Sequence, residues 1–227
     1  ENGTRRLEAC QSPVWDTALA LVALGDAGTP SDHPALVRAG EWLVGEEIRV
    51  PGDWAVRRPE LAPGGFAFEF ENDNYPDVDD TAEVVMALRA VALPDKERLD
   101  GAIGRSLRWT LGMQCRDGGF AAFDADNTRA LCRELPFCDF GEVIDPPSAD
   151  VTAHVLELLA LEGRANEAPA RAAREWLLRA QEQDGSWFGR WGANHVYGTG
   201  AAVPALVRGG MDREHPAIRR AAELLVG

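Results

Sequence analysis

Apolar positions along the chain fall into two kinds of helical segment that alternate. In the first kind, small and aliphatic residues crowd most faces: Ala18 to Leu24, Ala82 to Leu88, Ala153 to Leu161 and Ala201 to Leu206. In the second, charges such as Arg171, Arg174, Glu175 and Arg179 break the apolar run into a stripe. A helix that is apolar all round is buried and an amphipathic one covers it, so the pattern predicts pairs of an inner and an outer helix. Each inner helix is opened by a short motif: Trp15-Asp16-Thr17-Ala18, Asp79-Asp80-Thr81-Ala82, Asp150-Val151-Thr152-Ala153 and Tyr197-Gly198-Thr199-Gly200. Starts are therefore expected near Thr17, Thr81, Thr152 and Thr199.

The outer segments repeat as well. Trp109 to Gln114 matches Trp176 to Gln181 at an offset of 67 residues, and Trp42 stands the same distance before Trp109. A fourth copy begins at His215-Pro216-Ala217, echoing His33-Pro34-Ala35. After two of the outer segments the chain reads Gln-x-x-Asp-Gly-x-aromatic, from Gln114 to Phe120 and from Gln181 to Trp187. Asp-Gly reverses the chain because glycine accepts positive φ. The aromatic can stack on the preceding helix and the glutamine can bond its backbone. Repeats of this length indicate stacked helix pairs. The fold class is all-α: an α/α toroid, a double ring of alternating inner and outer helices joined by Gln…Trp turns. A closed ring rather than an open solenoid is the expectation, with residues 1–227 forming a single partial α/α-barrel domain. In such a ring all inner-helix N-termini share one end, so Trp15, Asp79 and Asp150, each two residues before the shared threonine, should converge there.

Composition narrows the function. The chain has 227 residues, 45% of them hydrophobic, and a net charge of −14. The pI of about 4.7 argues against nucleic acid, whose phosphates call for a basic surface. No apolar run reaches the ~18 residues of a membrane-spanning helix, and no signal peptide is visible. The chain opens on Glu1 and stops in a helical pattern, so an internal fragment of a longer protein is expected. Cys10, Cys115, Cys132 and Cys138 form no Cys-x-x-Cys pair, and free thiols are expected. Asp124-Ala125-Asp126-Asn127 starts like a calcium loop but lacks the glycine and the closing glutamate; no metal and no cofactor is expected.

The densest chemistry lies in Tyr75-Pro76-Asp77-Val78-Asp79-Asp80-Thr81-Ala82. Three carboxyl groups within four residues resist joint ionisation, so one of them is expected to keep its proton. Beside an apolar cavity such a group is a Brønsted acid. The competing reading is an N-cap cluster, since aspartate is favoured at helix starts. Asp150 and His154 are four residues apart and share a helical face.

These segments, with Gln11 to Thr17, Pro51 to Val56, Gly64 to Phe68, Pro136 to His154 and Gly185 to Trp191, resemble the central part of a squalene–hopene cyclase, a class II triterpene cyclase. The resemblance covers nearly the whole chain. It implies an enzyme of two α-helical double barrels, of which this chain carries the acid-bearing one, seated on the cytoplasmic face of the cell membrane without spanning it; a homodimer stays open. It implies Asp79 as the general acid that protonates a terminal double bond of squalene, flanked by Asp77 and Asp80. His154 would be its partner, held in turn by Asp150. An alkene is a very poor base, so the acid must hold its proton at neutral pH; raising an aspartate from ~3.9 to ~7 costs roughly 4 kcal/mol. Ring closure through cations calls for an apolar wall with electron-rich faces, each worth ~2 kcal/mol or more when buried. Trp15, Phe68, Phe123 and Trp191 match that wall, although tyrosine is the family's usual residue at Phe123. Phe137, Cys138 and Phe140 match a segment lining the substrate entry channel.

The three aspartates favour an unactivated alkene over the epoxide of oxidosqualene cyclases. Diterpene cyclases share the Asp-x-Asp-Asp motif but not the flanking matches. Prenyltransferase β subunits share the helical ring and need a zinc set that is not evident. A non-catalytic helical toroid for protein binding would have no use for the acid motif.

Overall fold

The computed structural model describes residues 11–128 and 144–226. Among them are eight α-helices: α1 (Pro13–Asp26), α2 (Pro34–Gly45), α3 (Val78–Arg89), α4 (Lys96–Gly112), α5 (Ala149–Leu161), α6 (Ala168–Ala180), α7 (Asn194–Arg208) and α8 (Pro216–Val226). The only β pairing in the described residues is an isolated bridge between Phe66 and Asp77. Helices α1, α3, α5 and α7 pack on one another in that order, and α2, α4, α6 and α8 each back the inner helix before them. The row is curved: the Trp15 ring on α1 comes within 6.3 Å of the His154 imidazole on α5, although α3 packs against both.

The inner helices begin about one turn before the shared threonines. Pro13 opens α1 at a position where the missing N–H costs nothing. Asp77 caps α3, its Oδ1 accepting the N–H groups of Asp79 at 2.6 Å and Asp80 at 3.3 Å. The N-cap reading of the acidic cluster is thus right for Asp77. Burial is not uniform. Ten of the twelve residues of α3 and nine of the thirteen of α5 are buried, whereas α1 buries Val14, Ala18 and Leu21 and leaves Leu19 and Leu24 exposed. The expectation of four helices buried on most faces fails at α1 and at α7, where Val196 is exposed; these two stand at the ends of the row, each with an inner neighbour on one side.

Three of the four threonines tie their inner helices to the segment before them. Thr81 Oγ1 accepts the Phe66 N–H at 2.9 Å, Thr152 Oγ1 the Phe120 N–H at 2.9 Å and Thr199 Oγ1 the Trp187 N–H at 3.0 Å. All three aromatic residues are fully buried, so each hydroxyl satisfies a donor that water cannot reach. The glutamines do more than bond their own turns. Gln114 Nε2 donates to Gly118 O and to Pro169 O in the first turn of α6. Gln181 Nε2 donates to Gly185 O and to Ala217 O in α8. Each turn therefore fastens one outer helix to the next. Gly118 and Gly185 sit at φ of 95° and 94°, where a side chain is strained. The whole frame brings the inner-helix N-termini, and the acidic residues on them, to one end.

Candidate active site

Sequence places the acidic cluster on the first turn of α3, and packing buries it. Asp77, Asp79 and Asp80 are at most 7% exposed. The Asp77 N–H donates to Phe66 O at 2.7 Å and the Phe66 N–H donates to Thr81 Oγ1 at 2.9 Å, so the turn carrying the carboxyls is held to the preceding segment at both ends, and the Thr81 hydroxyl closes it internally on Asp77 O at 2.6 Å. Asp79 points at α5: its Oδ1 lies 2.6 Å from His154 Nδ1. The imidazole also has the Trp15 ring on one side and the Tyr197 ring, from α7, edge-on at 6.2 Å on the other. Trp15, Asp79 and His154, named from the sequence, are thus brought together from three inner helices.

Two sequence expectations change here. Asp150 does not hold His154. Its Oδ1 accepts from the Ser148 hydroxyl at 2.5 Å and the Val151 N–H at 3.1 Å, and its Oδ2 accepts the Trp191 N–H at 2.9 Å. Lying in the first turn of α5, it meets the donors of the cap and of the loop leading into α7 before it can reach a side chain one turn on. The second carboxylate at His154 is Glu83, with Oε1 3.8 Å from Nδ1. Glu83 was legible, lying four residues beyond Asp79 and so on the same face of α3. Tyr197 was read as a helix opener only.

Electrostatics follows from crowding in a dry place. Burial, then the charges of Asp80 and Asp79, raises Asp77 well above the usual carboxylate range. Burial first, then Asp79 and Glu83, pushes Asp80 up to about 8. Its Oδ1 has no hydrogen-bond partner, so one oxygen of the anion goes unstabilised. Glu83 is raised by burial and pulled back by His154. Burial would lower His154, but the Asp79 charge and hydrogen bond, then Glu83 and Asp150, push it up to about 9. The Tyr197 hydroxyl is raised by burial and by the surrounding carboxylates. Asp77 and Asp80 are thus pushed toward their neutral forms, beside an imidazole pushed toward its charged form.

The aromatic candidates divide. Phe123 and Trp191 form an edge-to-face pair with centroids 5.8 Å apart, and the Trp191 N–H bond to Asp150 links that pair to α5. The Phe123 and Asp124 N–H groups both donate to Asp145 Oδ2, at 2.5 and 3.1 Å. One face of Trp191 is taken by the Arg190 guanidinium, 5.2 Å from the ring. Phe68 is half-buried, two residues past the Phe66–Asp77 bridge. Phe137, Cys138 and Phe140 lie outside the described residues. A cleft of about 380 Å³ opens between α3, α5 and α7, lined by Glu83, His154, Glu157, Tyr197 and the small residues Gly200 and Ala201.

Comparison with known proteins agrees with this architecture. Residues 11–227 match the family described as squalene-hopene cyclase C-terminal domain. The chain is 58% identical to squalene–hopene cyclase of Alicyclobacillus acidocaldarius over 200 residues, covering 88% of this chain and 32% of that protein. It is 44% identical to squalene–hopene cyclase of Zymomonas mobilis over 222 residues, covering 96% of this chain and 34% of that protein. In structure it is similar to the type II terpene cyclase MstE from Scytonema, with a TM-score of 0.61 and 23% identity over 92% of this chain and 52% of that one. That last likeness carries the toroid fold alone. The chain spans about a third of the length of the two cyclases.

Proposed function

The chain belongs to the squalene–hopene cyclase family, and on that premise we propose that it is the acid-bearing barrel of a longer enzyme that cyclises squalene to hopene or hopanol. The observation that carries the reading is the buried contact of 2.6 Å between Asp79 Oδ1 and His154 Nδ1. An Asp79 carboxyl group whose Oδ1 accepts from an imidazolium N–H loses electron density to it, and its own O–H becomes a stronger acid. Proton transfer to the terminal alkene forms one C–H bond and leaves a tertiary cation, from which the ring C–C bonds form in turn. The new Asp79 carboxylate is then paired with a charge already in place, so little needs to reorganise. Burial pushes Asp77 and Asp80 toward their neutral forms, which spares the site a cluster of anions. Loss of a proton from the last cation gives the alkene and capture of water gives the alcohol.

Trp15 beside the acid, the Phe123–Trp191 pair and Phe68 supply the apolar, electron-rich wall that shields the cations from water. An insoluble isoprenoid substrate favours attachment to the cytoplasmic face of a membrane, a point that fractionation of cells making the complete enzyme would test. For the reaction itself the test is Asp79→Asn in the complete enzyme, with squalene and product analysis. An amide has no proton of this acidity to give, so cyclisation should stop while the helical fold persists. Normal hopene formation by that variant would refute the assignment.

A further inference from the structure

A buried imidazolium needs a carboxylate beside it at every stage of a reaction, because an unpaired charge in a dry site is costly. While Asp79 carries the proton it is about to give, it is neutral and cannot fill that place. The other groups facing His154 come from all four inner helices. From α1 comes the Trp15 ring, which has no charge. From α7 comes the Tyr197 hydroxyl, held neutral. On α5 itself, Asp150 adds charge from a distance, its oxygens turned to the Ser148 hydroxyl and the N–H groups of Val151 and Trp191 and not to the imidazole, and Glu157 pairs with Arg208. On α3, Asp80 is kept neutral by burial. Glu83 remains. It is 7% exposed, one turn beyond Asp79, and its Oε1 stands 3.8 Å from the same Nδ1 that Asp79 contacts.

We propose that Glu83 is the counter-ion that keeps His154 protonated while Asp79 is in its acid form, with Asp79 taking over that role once its proton has gone to the substrate. The need for the acid form rests on the function proposed above; the pairing of Glu83 with His154 does not. Glu83 touches no substrate in this account. It is a positioning residue acting through the imidazole.

The two claims separate in one experiment on the complete enzyme labelled at histidine. Asp79→Asn mimics the neutral acid, and the imidazole titration of His154 is followed by NMR in that background, with and without Glu83→Gln. The signal is assigned by its loss in His154→Ala. Adding Glu83→Gln should lower the titration midpoint by about one pH unit or more, a tenfold loss of proton affinity, and Glu83→Asp should recover part of it. A midpoint that Glu83→Gln leaves in place, or that Asp150→Asn lowers further than Glu83→Gln does, overturns the proposal. With Asp79 intact, Glu83→Gln should move the alkaline limb of kcat with squalene to lower pH and leave KM alone. If the parent enzyme does not cyclise squalene, the function fails while the NMR titration still decides the pairing.

Discussion

Replacing Asp80 by asparagine should make the protein more stable and less active. Burial of Asp80, with Asp79 and Glu83 nearby, pushes its carboxyl group up to about 8 from 3.8. The folded state therefore holds this proton more tightly than the unfolded chain does. Where pH is below about 4 both states carry it and nothing is lost; between about 4 and about 8 the unfolded chain releases it first and folding stability falls; above about 8 the loss is complete. A displacement of ~4 pH units corresponds to ~6 kcal/mol at most, and sharing of the penalty with Asp79 and Glu83 leaves ~2–4 kcal/mol as the expected cost. The amide of the variant has no proton to lose and no charge to bury. Denaturant midpoints of the complete enzyme at pH 4.5 and pH 8 would show it: the variant should gain little at the lower pH and ~2–4 kcal/mol at the higher one. Squalene turnover should fall in the same variant, since a neutral carboxyl with a free oxygen is replaced by an amide. A gain independent of pH, or a loss of stability at pH 8, would refute the reasoning.

Three further outcomes follow. Thr152→Val leaves the buried Phe120 N–H, now 2.9 Å from Thr152 Oγ1, without an acceptor and should cost ~1–3 kcal/mol in denaturant unfolding; unchanged stability would remove the threonine latch from the account. His154→Ala should lower the rate of squalene consumption strongly with circular dichroism unchanged, because the Asp79 carboxylate loses the charge opposite it. Asp145→Ala frees the two N–H groups that fix Phe123 against Trp191, and gas chromatography should show a larger share of incompletely cyclised products.

The sequence shows the frame more clearly than the site. Alternating apolar and amphipathic segments, the offset of the tryptophans and the Asp-Gly turns are local signals that repeat, and α1 to α8 follow them. The reach of the glutamines to the next outer helix, and the role of Thr81, Thr152 and Thr199 as acceptors, need the packed structure, because their partners lie in other elements. At the site, spacing alone put Asp150 and His154 on one helical face, and it was right about the face. It could not say that Ser148, Val151 and Trp191 would take the carboxylate first. The same spacing rule applied to Asp79 points to Glu83, but a glutamate inside a helix looks like a solvated residue until packing buries it. That Trp191 carries a guanidinium on one face is likewise a matter of two adjacent residues folding back, which no periodicity reveals.

The central claim, that Asp79 delivers the initiating proton, is tested most directly by the fate of that proton. The complete enzyme is incubated with squalene in D2O, where carboxyl protons exchange with solvent, and the product is examined by NMR. A single deuteron is expected on the ring CH2 beside the gem-dimethyl carbon, delivered by the enzyme with intact Asp79 and absent with Asp79→Asn. Cyclised product lacking deuterium at that carbon, or label still delivered there by the Asp79→Asn variant, would contradict the account.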